Sequence, residues 1–337
     1  MYGLGKKALV VVATVLMASP VAFLGKTQQV QAASADQVVL KQMTTAPHGE
    51  KSFAITTVAL RGDKIVASHI DEFQFVKKGA DGMTPVPNSD GDFAKGMKKK
   101  QMLISKDAND EGYSELMKEE GKATKTRSAS MTAIEEYTVG KTVKELKTTL
   151  AKKEALQKKV ISGATLTDTN SYVKSVVTTA TKGFTTTGIS VADDNITLKQ
   201  IDGAPHGNKS FAVTTVAMSG DKIAAAAIDE FQFVAKKGFK GVPNSNKEFG
   251  DSYAKGQILI SKQANDKAYS KLMKDEAKAT QSRNKSINAI TKYAAGKTAT
   301  ELKNDLNAHD KMTDVVSGAT LEDTNGYIKT IVEAANE

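Results

Sequence analysis

Two copies of one short phrase carry the residues of this chain that could do chemistry. The first is Ser162-Gly163-Ala164-Thr165 and the second is Ser317-Gly318-Ala319-Thr320. Each ends in a threonine hydroxyl, which is a poor nucleophile at neutral pH unless a base or a metal activates it. The chain has no cysteine and only four scattered histidines, so neither a thiol nor a metal-ligand spacing accompanies either phrase. Chemistry at these hydroxyls would therefore require an external enzyme.

The same four residues also fit an ordinary turn, because glycine gives backbone freedom and small neighbours keep a loop thin. Each phrase precedes a predicted amphipathic helix, for which Thr167 or Asp168, and Asp323 or Thr324, are candidate N-caps. The apolar residues of the two helices share one face: Tyr172, Val173, Val176, Val177 and Ala180, then Tyr327, Ile328, Ile331, Val332 and Ala335. The phrases are predicted to be loops that lead into helix N-termini, where backbone N–H groups favour a phosphate.

Both phrases belong to a repeat that covers most of the chain. Ile70-Asp71-Glu72-Phe73-Gln74-Phe75 returns as Ile228-Asp229-Glu230-Phe231-Gln232-Phe233. The repeat length, roughly 155 residues, is that of a whole domain rather than of a solenoid unit. The sequence predicts an α+β fold of two tandem homologous domains, residues 36–183 and 184–337, each an antiparallel β-hairpin or sheet packed with helices. The boundary is placed near Thr181 to Val191, where the apolar pattern breaks.

Periodicity locates the elements that must position the two loops. In the first copy, alternation predicts a β-hairpin over residues 53–60 and 65–75, followed by a short apolar stretch at 102–104. Helical spacing extends from about Asp110 to Tyr137. The second copy repeats this pattern at residues 211–218, 223–233, 258–260 and 266–293. Gly140-Lys141-Thr142 and its counterpart Gly296-Lys297-Thr298 resemble the end of a P-loop but lack the upstream glycine, so they are interpreted as turns between helices.

Residues 1–35 have the pattern of a secretory signal peptide. Lys6 and Lys7 precede an uncharged apolar run from Ala8 to Leu24, and small residues follow it near Ala32. An uncleaved membrane anchor is the competing interpretation, which the short run and Pro20 disfavour. The pattern predicts a protein that is secreted or held at the cell surface, outside the cytoplasmic membrane. Release, retention by charge and an uncleaved leader all remain open, and release is favoured.

The net charge of +9 is modest for 337 residues. Acids and bases alternate along the predicted helices, which is typical of a solvated surface. No basic block is interleaved with aromatic residues, and the chain has no tryptophan, so a nucleic-acid partner is not expected. Weak attraction to anionic wall polymers or a membrane surface stays open. His48 and His206, each in a repeated Pro-His-Gly, are interpreted as turn or packing residues, with the edge of a cofactor pocket as the alternative.

With its duplicated phrase and its leader, the chain resembles the FMN-binding domains that carry covalently attached flavin. This family includes subunits of sodium-pumping quinone reductases, and the resemblance is closest to the tandem-domain flavoproteins of Gram-positive extracellular electron transfer. The family pattern is Asp, two residues, Ser or Thr, Gly, Ala, then Thr or Ser. The second copy matches it from Asp314 to Thr320, whereas Lys159 takes the place of the aspartate in the first copy.

The resemblance implies that a flavin transferase, using FAD and Mg²⁺, attaches FMN through a phosphoester bond to the last hydroxyl. Thr320 is then the acceptor that fits best and Thr165 the second. The implied cofactor-binding residues are Thr320, Thr165, Ser317, Gly318, Ala319, Asp314, Ser162, Gly163 and Ala164. Tyr172 and Tyr327 are candidates for packing on the flavin ring, although a core position is the favoured interpretation.

The implied function is that of a secreted electron carrier and not of an enzyme with its own substrate pocket. It would relay electrons from a membrane quinone or dehydrogenase redox system to extracellular acceptors such as ferric iron or soluble flavins. The alternative is a non-redox cell-surface binding module whose Ser-Gly-Ala-Thr loops are structural turns. A reductase with a defined small substrate would need a site that the sequence does not display.

Overall fold

Helices cover the outer faces of two antiparallel sheets, so the fold is α+β as the sequence predicts. The structure is a computed structural model that describes residues 36–152, 161–192 and 194–337. The predicted signal peptide and Lys159 lie outside these residues. All described residues belong to one compact unit. Within them, no helix is both long enough and apolar enough to cross a membrane.

The first sheet has five strands in the order β4-β3-β2-β1-β5. Its strands are β1 (Gln37–Thr45), β2 (Ser52–Arg61), β3 (Lys64–Lys77), β4 (Gln101–Ser105) and β5 (Phe184–Ser190). The predicted hairpin is confirmed as β2 and β3, which pair from Ser52 opposite Gln74 to Arg61 opposite Lys64. Its turn contains Gly62 at a φ of 60°, a conformation that glycine adopts without steric cost.

Four helices follow in the first repeat. They are α1 (Asp110–Gly121), α2 (Arg127–Thr138), α3 (Val143–Ala151) and α4 (Thr169–Lys182). The helical stretch predicted from about 110 to 137 is confirmed as two helices, α1 and α2, which are separated near Lys122, where φ is a left-handed 51°. Thr126 then caps α2 by accepting a hydrogen bond from the backbone N–H of Ala129.

The second repeat reproduces this series of elements. Its four-stranded sheet, in the order β6-β7-β8-β9, contains β6 (Thr197–Gly203), β7 (Ser210–Ser219), β8 (Lys222–Ala235) and β9 (Gln257–Ser261). Its helices are α5 (Asp266–Ala277), α6 (Arg283–Ala294), α7 (Ala299–Ala308) and α8 (Thr324–Asn336). The predicted turns between helices are confirmed, since Thr142 and Thr298 begin α3 and α7 with a capping box.

The central strands are buried on both faces. Nine consecutive residues of β2 are buried, and the same is true of β7. Helices α2 and α4 pack on one face of the first sheet, and α6 and α8 pack on the matching face of the second. The opposite faces of the two sheets meet each other, so the layers run helix, sheet, sheet, helix.

An aromatic cluster fills the space between the two sheets. Phe53 and Phe73 of the first sheet stack with ring centroids 5.2 Å apart, and Phe211 and Phe231 of the second stack at 5.1 Å. Phe53 also lies 5.3 Å from Phe231. All four side chains are fully buried. Because each ring is covered by rings of the other repeat, the two sheets share one apolar core.

One short 3₁₀ turn in each repeat forms a hydrogen bond with the other repeat. Phe93, in the turn Asp92–Gly96, donates its backbone N–H to Asn208 O at 3.0 Å, and Phe249, in the turn Glu248–Ser252, donates to Glu50 O at 2.9 Å. Each phenylalanine thereby enters the aromatic cluster next to rings of the other repeat. Because the two contacts are equivalent, the two repeats are related by approximate twofold symmetry.

Strand β5 was not predicted, and it lies in the stretch assigned to the domain boundary. It pairs with β1 in the first sheet, from Gln37 opposite Ser190 to Gln42 opposite Phe184. Its Thr-rich sequence lacks apolar alternation, although β-branched residues favour a strand. The chain from 184 onward thus begins by completing the sheet of the first repeat. The division into domains at residues 183 and 184 stays a prediction.

Candidate functional site

The Ser-Gly-Ala-Thr phrases form two similar tight turns. Gly163 has a φ of 98° and Gly318 a φ of 86°, which side-chain-bearing residues rarely adopt. A β-carbon at Gly163 would also lie 3.0 Å from Ala133 Cβ. The alanine that follows each glycine is buried in the core under the outer helices. Glycine allows the turn and alanine anchors it, so the threonine is held at a fixed place above the core.

Each threonine hydroxyl contacts a serine on a helix that precedes it in the chain. Thr165 Oγ1 lies 3.1 Å from Ser130 Oγ of α2, and Thr320 Oγ1 lies 3.0 Å from Ser286 Oγ of α6. The backbone N–H of Thr320 also donates to Ser286 Oγ at 3.3 Å. Both serines are completely buried. Thr320 is exposed and Thr165 is half-buried, so Thr320 is the more accessible hydroxyl.

The two serines that contact the threonine hydroxyls were not predicted from the sequence, although a signal was present. Arg127-Ser128-Ala129-Ser130 returns as Arg283-Asn284-Lys285-Ser286, so arginine and the serine three residues later are the two residues kept. One turn of helix separates them and places both near the helix N-terminus. The arginine and the serine are therefore the two residues through which α2 and α6 contact the core and the threonine turn.

The N-caps of the helices that follow the turns are Asp168 and Asp323, both among the predicted candidates. Neither carboxylate caps its own helix. Asp168 Oδ2 lies 2.7 Å from His48 Nδ1, and Asp323 Oδ2 lies 2.5 Å from His206 Nδ1. The repeated Pro-His-Gly thus fastens the loop before each sheet hairpin to the start of α4 or α8. Both half-exposed histidines lie in bends between strands, which agrees with the predicted turn role.

Asp314 lies in a short 3₁₀ turn, Met312–Asp314, that leads into the second phrase. Its side chain is exposed. The turn is tied to α8, because the backbone N–H of Met312 donates to Asn325 Oδ1 at 2.9 Å and Asn325 Nδ2 donates to Asp310 O at 3.1 Å. The Asp314 carboxylate is therefore accessible to another protein. The matching Lys159 of the first repeat lies outside the described residues.

An open groove of about 810 Å³ adjoins the second turn. It is lined by the end of α5 and the segment that leads into α6: Ser270, Lys274, Asp275, Lys278, Ala279, Thr280, Gln281 and Ser282. Gln281 joins the groove to the turn, since its Nε2 donates to Gly318 O and, at 2.7 Å, to Ser286 Oγ.

Buried ion pairs fix the helices that carry the two serines. In the second repeat, Glu230 Oε2 lies 3.0 Å from Arg283 Nη2, and its Oε1 lies 3.1 Å from Lys262 Nζ. Tyr327 also donates its hydroxyl to Glu230 at 2.7 Å. Burial alone would raise the pKa of Glu230, but Lys262 and Arg283 lower it below its usual range. Since Arg283 is the first residue of α6, this cluster sets the position of Ser286.

The first repeat has the same cluster with additional charges. Glu72 accepts hydrogen bonds from Lys106 Nζ at 3.3 Å and from the Tyr172 hydroxyl at 2.9 Å. Arg127 pairs there with Asp107, whose counterpart in the second repeat is Gln263. Tyr172 and Tyr327 are therefore core residues that support Glu72 and Glu230, and both are 2 % exposed. The favoured core interpretation of these tyrosines is confirmed.

Asp71 is a buried carboxylate within this larger cluster. It accepts hydrogen bonds from Ser105 Oγ at 2.6 Å and from the backbone N–H of Asp107 at 3.1 Å. Burial and the charge of Asp107 raise the pKa of Asp71 to about 7, against the lowering effect of Arg127. Burial likewise raises the pKa of Asp202, which faces Asp71 and Asp107. Near neutral pH, the folded protein thus holds protons here that the unfolded chain releases.

We expect the free energy of unfolding to respond to pH through Asp71. Its pKa is higher in the folded state than the ordinary value of 3.8, so its contribution to stability is fully present below about pH 4 and is lost as pH rises through about 7. Asp71→Asn should remove this loss. Its free energy of unfolding relative to that of the wild type should increase between pH 5 and pH 8 by an amount on the order of 2–3 kcal/mol.

Urea unfolding at several pH values measures this difference. Asp229→Asn is the matched control, because Asp229 occupies the same position in the second repeat but has Gln263 in place of Asp107 and Thr44 in place of Asp202. For Asp229→Asn, the free energy of unfolding relative to that of the wild type is expected to change less between pH 5 and pH 8. Equal pH dependence in Asp71→Asn and the wild type would contradict the assignment.

Comparison of the chain with protein-family models, curated proteins and solved structures finds no match. Among the described residues, no group of three or more histidine, aspartate or glutamate side chains is arranged to hold a metal ion. The site is therefore defined by its own geometry: two threonine hydroxyls on tight turns, each against a buried serine at the start of a helix.

Proposed function

We propose that the protein is a secreted flavoprotein electron carrier with FMN linked through phosphoester bonds to Thr320 and Thr165. A flavin transferase that uses FAD and Mg²⁺ would form these bonds. A membrane quinone or dehydrogenase redox system would supply electrons, which the protein would pass to extracellular acceptors. The FMN would supply the redox chemistry, and the protein would supply its position and environment.

The observation that carries this proposal is the setting of Thr320. Its side chain is exposed, its turn is held by Gly318, and the groove of about 810 Å³ begins at Gln281 beside it. A hydroxyl that must enter the active site of another enzyme needs exposure and small neighbours, and this turn offers both. The groove gives a flavin attached there a surface to lie on.

The charges around the turns suit a phosphate group. Lys274 and Lys278 line the groove beside Thr320. In the first repeat, Lys125 Nζ would lie 3.7 Å from a β-carbon at Gly163, so its ammonium group is next to that turn. Ammonium groups bind phosphate oxygens as compact point charges. Both sites thus offer basic side chains to the phosphate of FMN.

The two sites differ in accessibility and in the residues that lead into them. Thr165 is half-buried whereas Thr320 is exposed, and Lys159 replaces the acidic residue found at Asp314. Both differences favour earlier modification of Thr320. The order of attachment, with Thr320 first and Thr165 second or not at all, is part of the proposal.

Intact-mass spectrometry of the protein co-expressed with its flavin transferase tests the proposal. One or two FMN additions are expected for the wild type, with yellow colour and flavin fluorescence that survive denaturation. Thr320→Ala should lose the first addition, and Thr165→Ala should lose only the second. Thr320→Ser keeps a hydroxyl and should remain modified. Omission of the transferase should leave every variant unmodified.

Thr313→Ala is the matched control, because this threonine lies in the same loop and is partly exposed. It should be modified to the same extent as the wild type. An unmodified and colourless wild-type protein, obtained with an active transferase, would contradict the proposal. That outcome would favour the non-redox binding module, in which the two turns have only a structural role.

A further inference from the structure

Eight exposed lysines lie together at one edge of the two sheets, and we name them the lysine band. They are Lys77, Lys78, Lys98, Lys99, Lys100, Lys236, Lys237 and Lys255. Five belong to the end of the β3–β4 hairpin and three to the end of the β8–β9 hairpin. In the sequence these two groups are separated by well over a hundred residues, so only the fold brings them together.

Backbone contacts join the two hairpin ends. Within the first hairpin, Lys78 N donates to Lys100 O at 2.9 Å, and within the second, Lys236 N donates to Gly256 O at 3.0 Å. Between them, Lys98 N donates to Ser252 O at 2.9 Å and Ala254 N donates to Gly96 O at 2.9 Å. The lysines therefore follow one another across the junction of the two repeats.

The lysine band is not neutralised by the protein itself. None of its eight lysines forms an ion pair with another residue in the described part of the chain. Asp92 is engaged by Lys95 at 2.6 Å, and the exposed acids nearest in sequence to the lysine band are Asp81, which follows Lys78, and Asp251, which precedes Lys255. The whole chain has 47 basic and 38 acidic residues, so without the band its formal charge would fall from +9 to +1.

Concentrated positive charge attracts polyanions. The presence or absence of apolar side chains beside the lysines indicates which kind of polyanion fits the surface. Membrane-surface binding usually combines basic residues with exposed apolar side chains that enter the interface. In the described residues, the single exposed large hydrophobic side chain is Val139, which lies outside the lysine band. A band of ammonium groups without apolar anchors matches a linear polymer whose phosphates can follow it.

We propose that the lysine band binds a linear anionic polymer, other than a nucleic acid, that carries phosphate groups along its length. Such binding would hold a secreted protein near an anionic cell envelope without a lipid anchor. The band contains none of the residues of the two threonine turns, so the inference is independent of flavin attachment and can be tested with flavin-free protein.

Binding of linear inorganic polyphosphate to the full chain, followed by calorimetry as the salt concentration is raised, tests this inference. The wild type is expected to bind at an ionic strength of about 50 mM and to lose affinity steadily with salt. Replacement of Lys98, Lys99, Lys100 and Lys255 by glutamine should weaken binding at least tenfold. It should also reduce the slope of log affinity against log salt by about 0.7 for each lysine removed.

The matched control replaces four exposed lysines elsewhere, Lys144, Lys147, Lys292 and Lys303, and so lowers the net charge equally. It should retain affinity within about twofold. Equal weakening in both variants would show a general charge effect and would overturn the inference. Binding to vesicles of anionic phospholipid without binding to polyphosphate would overturn it as well. Circular dichroism and thermal unfolding establish that each variant is folded before binding is compared.

Discussion

Replacement of Glu230 by glutamine is expected to lower the free energy of unfolding by about 3–5 kcal/mol, because it leaves two buried cations without their carboxylate. Lys262 Nζ lies 3.1 Å and Arg283 Nη2 3.0 Å from the Glu230 oxygens. All three side chains are only 1 % exposed. Glutamine keeps the shape of the side chain, so the loss of charge is what the substitution measures.

The first repeat supplies the matched control for this prediction. Glu72→Gln removes the equivalent carboxylate, but Arg127 keeps its ion pair with Asp107. Among the described residues, Arg283 forms no second ion pair, since Gln263 stands where Asp107 stands in the first repeat. We therefore expect Glu72→Gln to be destabilising by clearly less than Glu230→Gln. Urea unfolding followed by far-ultraviolet circular dichroism measures both changes.

Glu230 is also linked to the threonine turn through Arg283. Displacement of Arg283 would move the start of α6 and with it Ser286, which contacts Thr320 Oγ1 at 3.0 Å. Equal stability losses in Glu230→Gln and Glu72→Gln would show that Asp107 does not stabilise Arg127. A loss below about 1 kcal/mol in Glu230→Gln would show that the buried cations find other compensation.

Replacement of Phe249 by alanine is expected to cost about 3–5 kcal/mol, the usual range for a buried phenylalanine. The Phe249 ring is 1 % exposed and lies 5.3 Å from Phe53 and 4.8 Å from Phe75, both of which belong to the first repeat. Phe249 itself belongs to the second repeat. The substitution should therefore destabilise both repeats in one cooperative unfolding transition.

Calorimetry and urea unfolding with separate probes for each repeat measure this coupling. Phe93→Ala, the reciprocal change in the first repeat, should behave similarly, since its ring lies 5.4 Å from Phe211 and 5.1 Å from Phe233. Phe239→Ala is the control, because this partly exposed ring buries less area. A variant that loses only the second repeat, in a separate transition, would show that the two repeats fold independently.

Local patterns predicted most of the elements. The β2–β3 hairpin and its copy were predicted from alternation and a Gly-containing turn. Helices α4 and α8 were predicted from one apolar face and a threonine or aspartate at the candidate N-cap. Each of these signals is complete within a few neighbouring residues. The boundary between α1 and α2 was not predicted, since Lys122 adopts a left-handed conformation without the glycine that usually marks it. Strands β1, β5 and β6 were also missed, because polar residues interrupt the apolar pattern of their sequences.

The candidate site was predicted in part. The two phrases and their glycines are local features, and the positive φ of Gly163 and Gly318 follows from the backbone freedom of glycine. The contact with Ser130 or Ser286 could not be predicted from spacing, because the serine lies on another helix about 35 residues earlier in the chain. The groove at Gln281 depends on the same placement of α5 and α6.

The sequence by itself determined the repeat, the α+β composition and the two chemically distinctive turns, because these depend on residue identity and short-range periodicity. Only the tertiary structure decided that the two sheets share an aromatic core, that Thr320 is exposed while Thr165 is half-buried, and that eight lysines from two hairpins form one band. These features arise from contacts between residues far apart in the chain. Such contacts are selected by the burial of apolar surface and by the pairing of buried charges, which no local pattern encodes.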